Sequence, residues 1–208
     1  MAQVIKGIFP NSHRQEEKKK EQPVASYILH ISIAFSDPLI WRRILVPGHL
    51  NLSQLHEVIQ RCMGWSNSHV HQFLVGKICY EPTGKKGAML HESKRFDENK
   101  YKLCMLEDDM RFLFTYLYGA GEGWEHLIHL EEIVPPSKPL QGAVLLAGER
   151  ACPPETVGDV HEYQALLAAL ETPGDKQQNR LFELSGRSDF DPAFFDLEAM
   201  RQCLPPAS

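Results

Sequence analysis

The sequence predicts an α+β fold, a mostly antiparallel sheet of about five strands covered by two or three helices. Three observations carry that expectation. Several segments alternate apolar and polar residues with period two, as half-buried strands do. Others repeat apolar residues at three- and four-residue steps, as helices with one buried face do. Pro, Gly, Asn and Asp cluster between these segments rather than inside them.

Taken in order, Tyr27, Leu29, Ile31, Ile33 and Phe35 share one face of a first strand. Asp37-Pro38 is a turn, and Ile40 to Val46 alternates again, which makes an antiparallel hairpin ended by Pro47-Gly48. Leu52, Leu55, Val58, Ile59, Cys62 and Met63 form the apolar stripe of a helix. Asn51 is placed to cap it with Gln54 completing a capping box, and Gly64 is its stop. After an exit loop at 65–67, His69, His71, Phe73 and Val75 line one face of a third strand, and 81–88 reads as a loop. Residues 89–107 have no clear period.

Arg111 to Tyr118 and Trp124 to Glu132 then alternate, joined by the glycine-rich Gly119–Gly123, which predicts a second hairpin. Three prolines make 134–142 extended, and 143–158 reads as irregular. Asp159 and Glu162 suit a capping box for a helix carrying Tyr163, Leu166, Leu167 and Leu170, ended at Thr172-Pro173-Gly174. Asp191-Pro192 predicts the start of a short last helix with Leu197, Met200, Cys203 and Leu204 inward.

The chain has 208 residues, enough for one ordinary core: a disordered tail over 1–24 and a single α+β domain over 25–208. The tail is expected because Asn11 to Pro23 is charged and holds almost nothing apolar to offset its ordering entropy. No apolar run is long enough to cross a bilayer, so no membrane partner is expected. The net charge of −5 argues against a non-specific nucleic-acid binder, which needs clustered cations. The five cysteines are widely spaced with no CxxC, and the N-terminus lacks the apolar core of a secretory signal. Free thiols in a cytoplasmic protein are the expectation.

Read in series, the motifs resemble one family. Pro38-Leu39-Ile40-Trp41-Arg42-Arg43-Ile44-Leu45-Val46-Pro47 runs into Leu52-Ser53-Gln54-Leu55-His56-Glu57, then Met63-Gly64-Trp65 and His69-Val70-His71-Gln72-Phe73. Gly123-Trp124-Glu125-His126, Arg150-Ala151-Cys152-Pro153-Pro154-Glu155 and Phe190-Asp191-Pro192-Ala193-Phe194-Phe195-Asp196 follow. Over roughly Tyr27 to Leu204 this order resembles the plasmid pRiA4b ORF-3-like family, also labelled insertion-element passenger proteins. The resemblance implies an uncharacterised protein associated with mobile elements and no particular activity. The chain departs from the family's acidic patterns at Gly119-Ala120 and at Thr156-Val157, where a ligand-binding acid of relatives would be missing. The passenger label sometimes invokes a resolvase, but the acidic chain shows no basic DNA-binding helix.

Chemistry enters through a few side chains. His69 and His71, two apart on a strand, would project together, and with His126 they form a candidate metal set for zinc or another transition metal. His56, Glu122, Glu125 or Cys152 would complete it. Structural hydrogen bonding beside Trp65 is the plainer reading of the same histidines. Trp41, Arg43, His56, Trp65, His71, Trp124, Glu125 and His126 are the candidates for lining one ligand cleft or the core beneath it. Arg42 and Arg43 point to opposite faces of a strand, so ion pairs with nearby carboxylates fit them better than one phosphate-binding patch. Gly119–Gly123 joins two strands and lacks the Lys and Ser/Thr of a phosphate loop. No GxSxG, HExxH or dinucleotide fingerprint occurs. The leading expectation is a non-catalytic binding or interaction domain with a protein or small-molecule partner. A metal-dependent hydrolase using the His cluster is the alternative, and a nucleic-acid accessory factor the second.

Overall fold

The computed structural model describes residues 24–84, 94–110, 113–119, 123–136, 140, 142–170, 176–186 and 190–204. The proposed tail up to residue 23, the strand start at Arg111-Phe112, and Ala120 to Glu122 of the glycine-rich loop lie outside the described residues.

Eight strands form one sheet: β1 (Ser26–Ile33), β2 (Trp41–Pro47), β3 (His71–Val75), β4 (Ile78–Glu81), β5 (Lys94–Asp97), β6 (Phe114–Tyr118), β7 (Trp124–Val134) and β8 (Val144–Glu149). Their order is β5-β4-β3-β6-β7-β1-β2-β8. β4 and β5 are parallel and the other neighbours antiparallel. This corrects the expectation of about five strands with two or three helices: the sheet is mixed, and five α-helices accompany it among the described residues. The physical reason is length and environment. β4 and β5 have four residues each, too few to establish a period, and most of β5 is exposed. β8 buries only Leu145 fully, so its apolar run Val144-Leu145-Leu146-Ala147 never alternates.

Both predicted hairpins form. β1 pairs with β2 from Ser26↔Pro47 to Ser32↔Trp41, and β6 with β7 from Phe114↔Ile128 to Tyr118↔Trp124. Tyr27, Leu29, Ile31 and Ile33 are fully buried, whereas Phe35 leaves the strand with φ +60 and is 77% exposed at the hairpin tip.

The helices are α1 (Leu52–Met63), α2 (Glu107–Met110), α3 (Val160–Leu170), α4 (Lys176–Ser185) and α5 (Leu197–Cys203). α1 has the expected capping box of Asn51 and Gln54, and Gly64 closes it at φ +77, where a side chain would be strained. At α3, Asp159 Oδ1 accepts from the Glu162 N–H, but the Glu162 carboxylate accepts from Gly158 rather than from the cap itself. The last helix is capped by Asp196, not Asp191, whose carboxylate instead holds a turn through the Ala193 N–H. Asp196 lies five positions after Asp191, so the helix is short, and Cys203 is exposed instead of inward.

The core lies on one face of the sheet. Ile44, Val46, Phe73, Tyr116, Tyr118 and Ile128 meet Leu55, Val58, Ile59 and Met63 of α1. Each such side chain contributes about 1.5–3 kcal/mol by leaving water. Trp124 meets Tyr163 of α3 edge-on on this same side.

Candidate functional site

Residues 98–104 position the site, although they carry no period that sequence could read. Two turns of 3-10 helix, Glu98–Lys100 and Leu103–Met105, bracket them, and Leu103 is fully buried. The segment is tied to the start of α1: the Leu52 N–H donates to Tyr101 O, the Leu103 N–H to Leu50 O, and Asn51 Nδ2 to Asn99 O. Glu98 is thereby brought under the sheet, 1% exposed, with Oε2 2.9 Å from Nε2 of His71.

His71 opens β3, and α1 presents His56 to it. The two imidazoles stack at 3.5 Å between centroids and 6° between planes. Behind them the orientation of the Gln60 amide follows from geometry. The Asn67 N–H donates to Gln60 Oε1, so Gln60 Nε2 is the atom that donates to the Tyr116 hydroxyl at 2.9 Å. Tyr116 has one hydroxyl proton, and burial holds its pKa well above the ordinary value. The same hydroxyl lies 2.7 Å from His56 Nδ1, so one buried oxygen ties the ring to the Gln60 amide. The relay is buried throughout, since His56 and Gln60 are each 2% exposed.

Above His71 and Glu98 is a cleft of about 200 Å³, with Ser53, Glu57, Asn67, His69 and Asn99 among its walls. Among the described residues Glu57 and Glu98 are its charged residues, and no Lys or Arg lines it. The cleft is polar and smaller than a drug-sized pocket.

A second centre ties its wall in place. Glu155 Oε2 accepts from the N–H and hydroxyl of Ser66, and Oε1 from the N–H and hydroxyl of Ser68 and from the Tyr118 hydroxyl. Partial burial raises this carboxyl's pKa, but the donors outweigh it and hold it at about 2. Burial and the Glu155 contact push Tyr118 up to about 12.

The structure separates the expected site residues into two groups. His56, Trp65, His71, Trp124 and His126 lie on the covered side. Trp65 Nε1 donates to Pro153 O and Trp124 Nε1 to Val157 O, so both indoles fasten the 153–157 segment to the core. His126 is fully buried, its Nδ1 3.2 Å from Tyr116 O, and burial lowers its pKa to about 4. Trp41, Arg43 and Glu125 sit on the opposite face. There Trp41 stacks on His30 and donates to Glu149, and Arg43 pairs with Glu131. These eight residues therefore do not line one cleft.

His69 stands before β3, exposed and edge-on to Tyr118, so it does not share the strand face of His71. Among the described residues no group of three or more His, Cys, Asp or Glu is placed to hold a metal ion. Glu122 lies outside them. Among the described residues Arg42 has no carboxylate partner of the expected kind. Its guanidinium donates to the carbonyls of Cys62, Trp41, Glu149 and Arg150 and to Cys152 Sγ. Burial raises the Cys152 pKa, against the opposing pull of Arg42, so the thiol is held protonated.

The departures from the family pattern carry structure. Thr156 Oγ1 donates to Leu184 O, Val157 accepts Trp124, and Gly119 turns at φ +113 with its N–H on Val70 O. Glu98, Gln60 and Tyr116 were not singled out by sequence, and only the Pro-Pro-Glu motif drew attention to Glu155.

A model of the plasmid pRiA4b ORF-3-like protein family matches residues 25–199. The uncharacterized protein y4hQ of Sinorhizobium fredii (strain NBRC 101917 / NGR234) is 35% identical over 172 residues, 82% of this chain and 86% of the relative. The crystal structure of the protein of unknown function MM3350 from Methanosarcina mazei Go1 has a TM-score of 0.72 at 29% identity, covering 84% of this chain and 97% of that one.

Proposed function

This chain belongs to the plasmid pRiA4b ORF-3-like family, and for it we propose a non-catalytic binding role, with a small ammonium or guanidinium compound as the ligand. The observation that carries this reading is the buried Glu98–His71 pair at the base of a cleft that has, among the described residues, two carboxylates and no Lys or Arg. A carboxylate held under an imidazole attracts a positive group, and Asn67, Asn99 and Ser53 supply further polar partners. The buried contacts of Tyr116 and Gln60 that hold the His56 ring in place are the kind of preorganisation that lowers the cost of binding. A cleft of about 200 Å³ admits a ligand of amino-acid size rather than a peptide.

Association with mobile elements is proposed from the family's name, and a cytoplasmic location from the five cysteines, all free thiols. No helix of the described residues is long and apolar enough to cross a membrane.

The test is a titration of the protein with small amines and guanidines, followed by the ring-proton NMR signals of His56 and His71. Saturable shifts are expected with cations, weakened at least about tenfold in Glu98→Gln, which corresponds to about 1.4 kcal/mol. Saturation by carboxylates or phosphates instead would overturn the reading. So would near-stoichiometric metal lost in a His69→Ala/His71→Ala variant, which favours the hydrolase, or salt-dependent binding of nucleic acid.

A further inference from the structure

We propose that the apolar groove between the end of α1, α5 and residues 151–156 is the docking site of this chain's own residues 4–10. The groove, about 500 Å³, has Met63, Trp65, Leu184, Phe190, Phe195 and Met200 among its walls. Phe194, 56% exposed, stands at its mouth. One wall is seated by a missing side chain: a Cβ on Gly148 would lie 2.6 Å from Phe195 and 2.8 Å from Arg42, so only glycine lets Phe195 settle against the guanidinium. The Arg42 guanidinium is already spent on carbonyls.

The occupant is argued from the chain itself. Val4, Ile5, Ile8, Phe9 and Pro10 form an apolar segment, and the thirteen residues 11–23 that follow contain no Val, Ile, Leu, Met or aromatic residue. The described chain begins at Val24 beside Gly48, next to the Pro47 end of β2. Arg42, on the groove, is five residues back along that strand, about 17 Å. Thirteen residues reach up to about 43 Å, so the apolar segment arrives with length to spare. Lys6 divides its two apolar pairs, and the Asp196 carboxylate is among the groove's lining, so charge complements shape. Tethering raises the effective concentration into the millimolar range, so modest contacts suffice. The open face of the sheet is a poorer host, because Arg43–Glu131 and Trp41–Glu149 cross it. This inference is independent of the cleft above His71.

The experiment places the photo-crosslinker benzoylphenylalanine at position 9 of the full chain and maps the adducts after proteolysis. Adducts to Met63, Met200 or Phe194 within one chain are expected. In parallel, hydrogen exchange compares the intact chain with a full-length Ile8→Asp/Phe9→Asp variant, whose fold is checked by its circular dichroism. Amides over 151–156 and 190–200 should exchange about fivefold faster in the variant, the effect of losing about 1 kcal/mol of protection. Adducts elsewhere, adducts joining two chains, or unchanged exchange would each overturn docking within the chain.

Discussion

Arg42 and Arg43 are neighbours on β2 with the same side chain and opposite fates. Arg42 faces the helices, is 1% exposed, and spends its N–H groups on four carbonyls and a thiol. Arg43 faces away and makes one partly exposed ion pair with Glu131. The contrast extends to the whole sheet. On the covered side polar groups are embedded among apolar ones and bound in a closed network: Glu98 with His71, Gln60 with Tyr116 and His56, Glu155 with Ser66 and Ser68. On the open side they pair across the surface, where water competes for each one. A polar group removed on the covered side strands its partners, and one removed on the open side is replaced by solvent.

The largest expected effect is at Arg42. Arg42→Ala should cost about 3–5 kcal/mol by chemical denaturation, because four carbonyls lose their donors inside the protein. A loss no greater than that of Arg43→Ala would break the comparison. Tyr116→Phe comes next, at about 1–3 kcal/mol, since one oxygen serves both Gln60 and His56. It should also shift the His56 ring signals, which a change in packing alone would not single out.

Acid should separate the covered groups by window. His126 is neutral in the fold with a pKa of about 4 against an ordinary 6.5, so the unfolded chain binds the extra proton first. Its share of stability is intact above about 6.5, falls as pH drops from there to about 4, and then levels. Glu155, held at about 2 against 4.5, contributes fully above 4.5 and loses its contribution as pH falls towards 2. Denaturation midpoints measured along pH should show both slopes, with His126→Phe flattening the first and Glu155→Gln the second. The smallest effect belongs to the open face, where Arg43→Ala should cost less than about 1 kcal/mol and depend on salt. A larger cost at low and high salt alike would mean the open face is not an ordinary solvated surface.

Much of the architecture was legible one element at a time. Both hairpins, α1 with its cap and stop, and the buried residues of β1 and β7 follow from alternation and helical spacing, which are local signals. The opposite orientation of Arg42 and Arg43 follows from the same rule. The short strands β4 and β5 carry too few residues for any period. β8 is edged by helix α5 and alternates on neither face. At the last helix two aspartates compete as caps, and Asp196 prevails where sequence favoured Asp191-Pro192. The candidate site was legible only in part. His56 and His71 stand out as residues, but nothing near Glu98 predicts that a segment without period is pinned to the start of α1 and slides a carboxylate beneath them.

The sequence by itself determined which residues alternate, which face each one takes within its own strand or helix, and where α1 begins and ends. Those properties depend on neighbours within a few positions. Tertiary structure alone decided that His71 stacks on His56 rather than joining His69, that Glu98 rather than a metal ligand meets it, and that the three tryptophans part between two faces. These outcomes depend on how segments far apart in the chain satisfy each other's buried polar groups, a condition that no local period records.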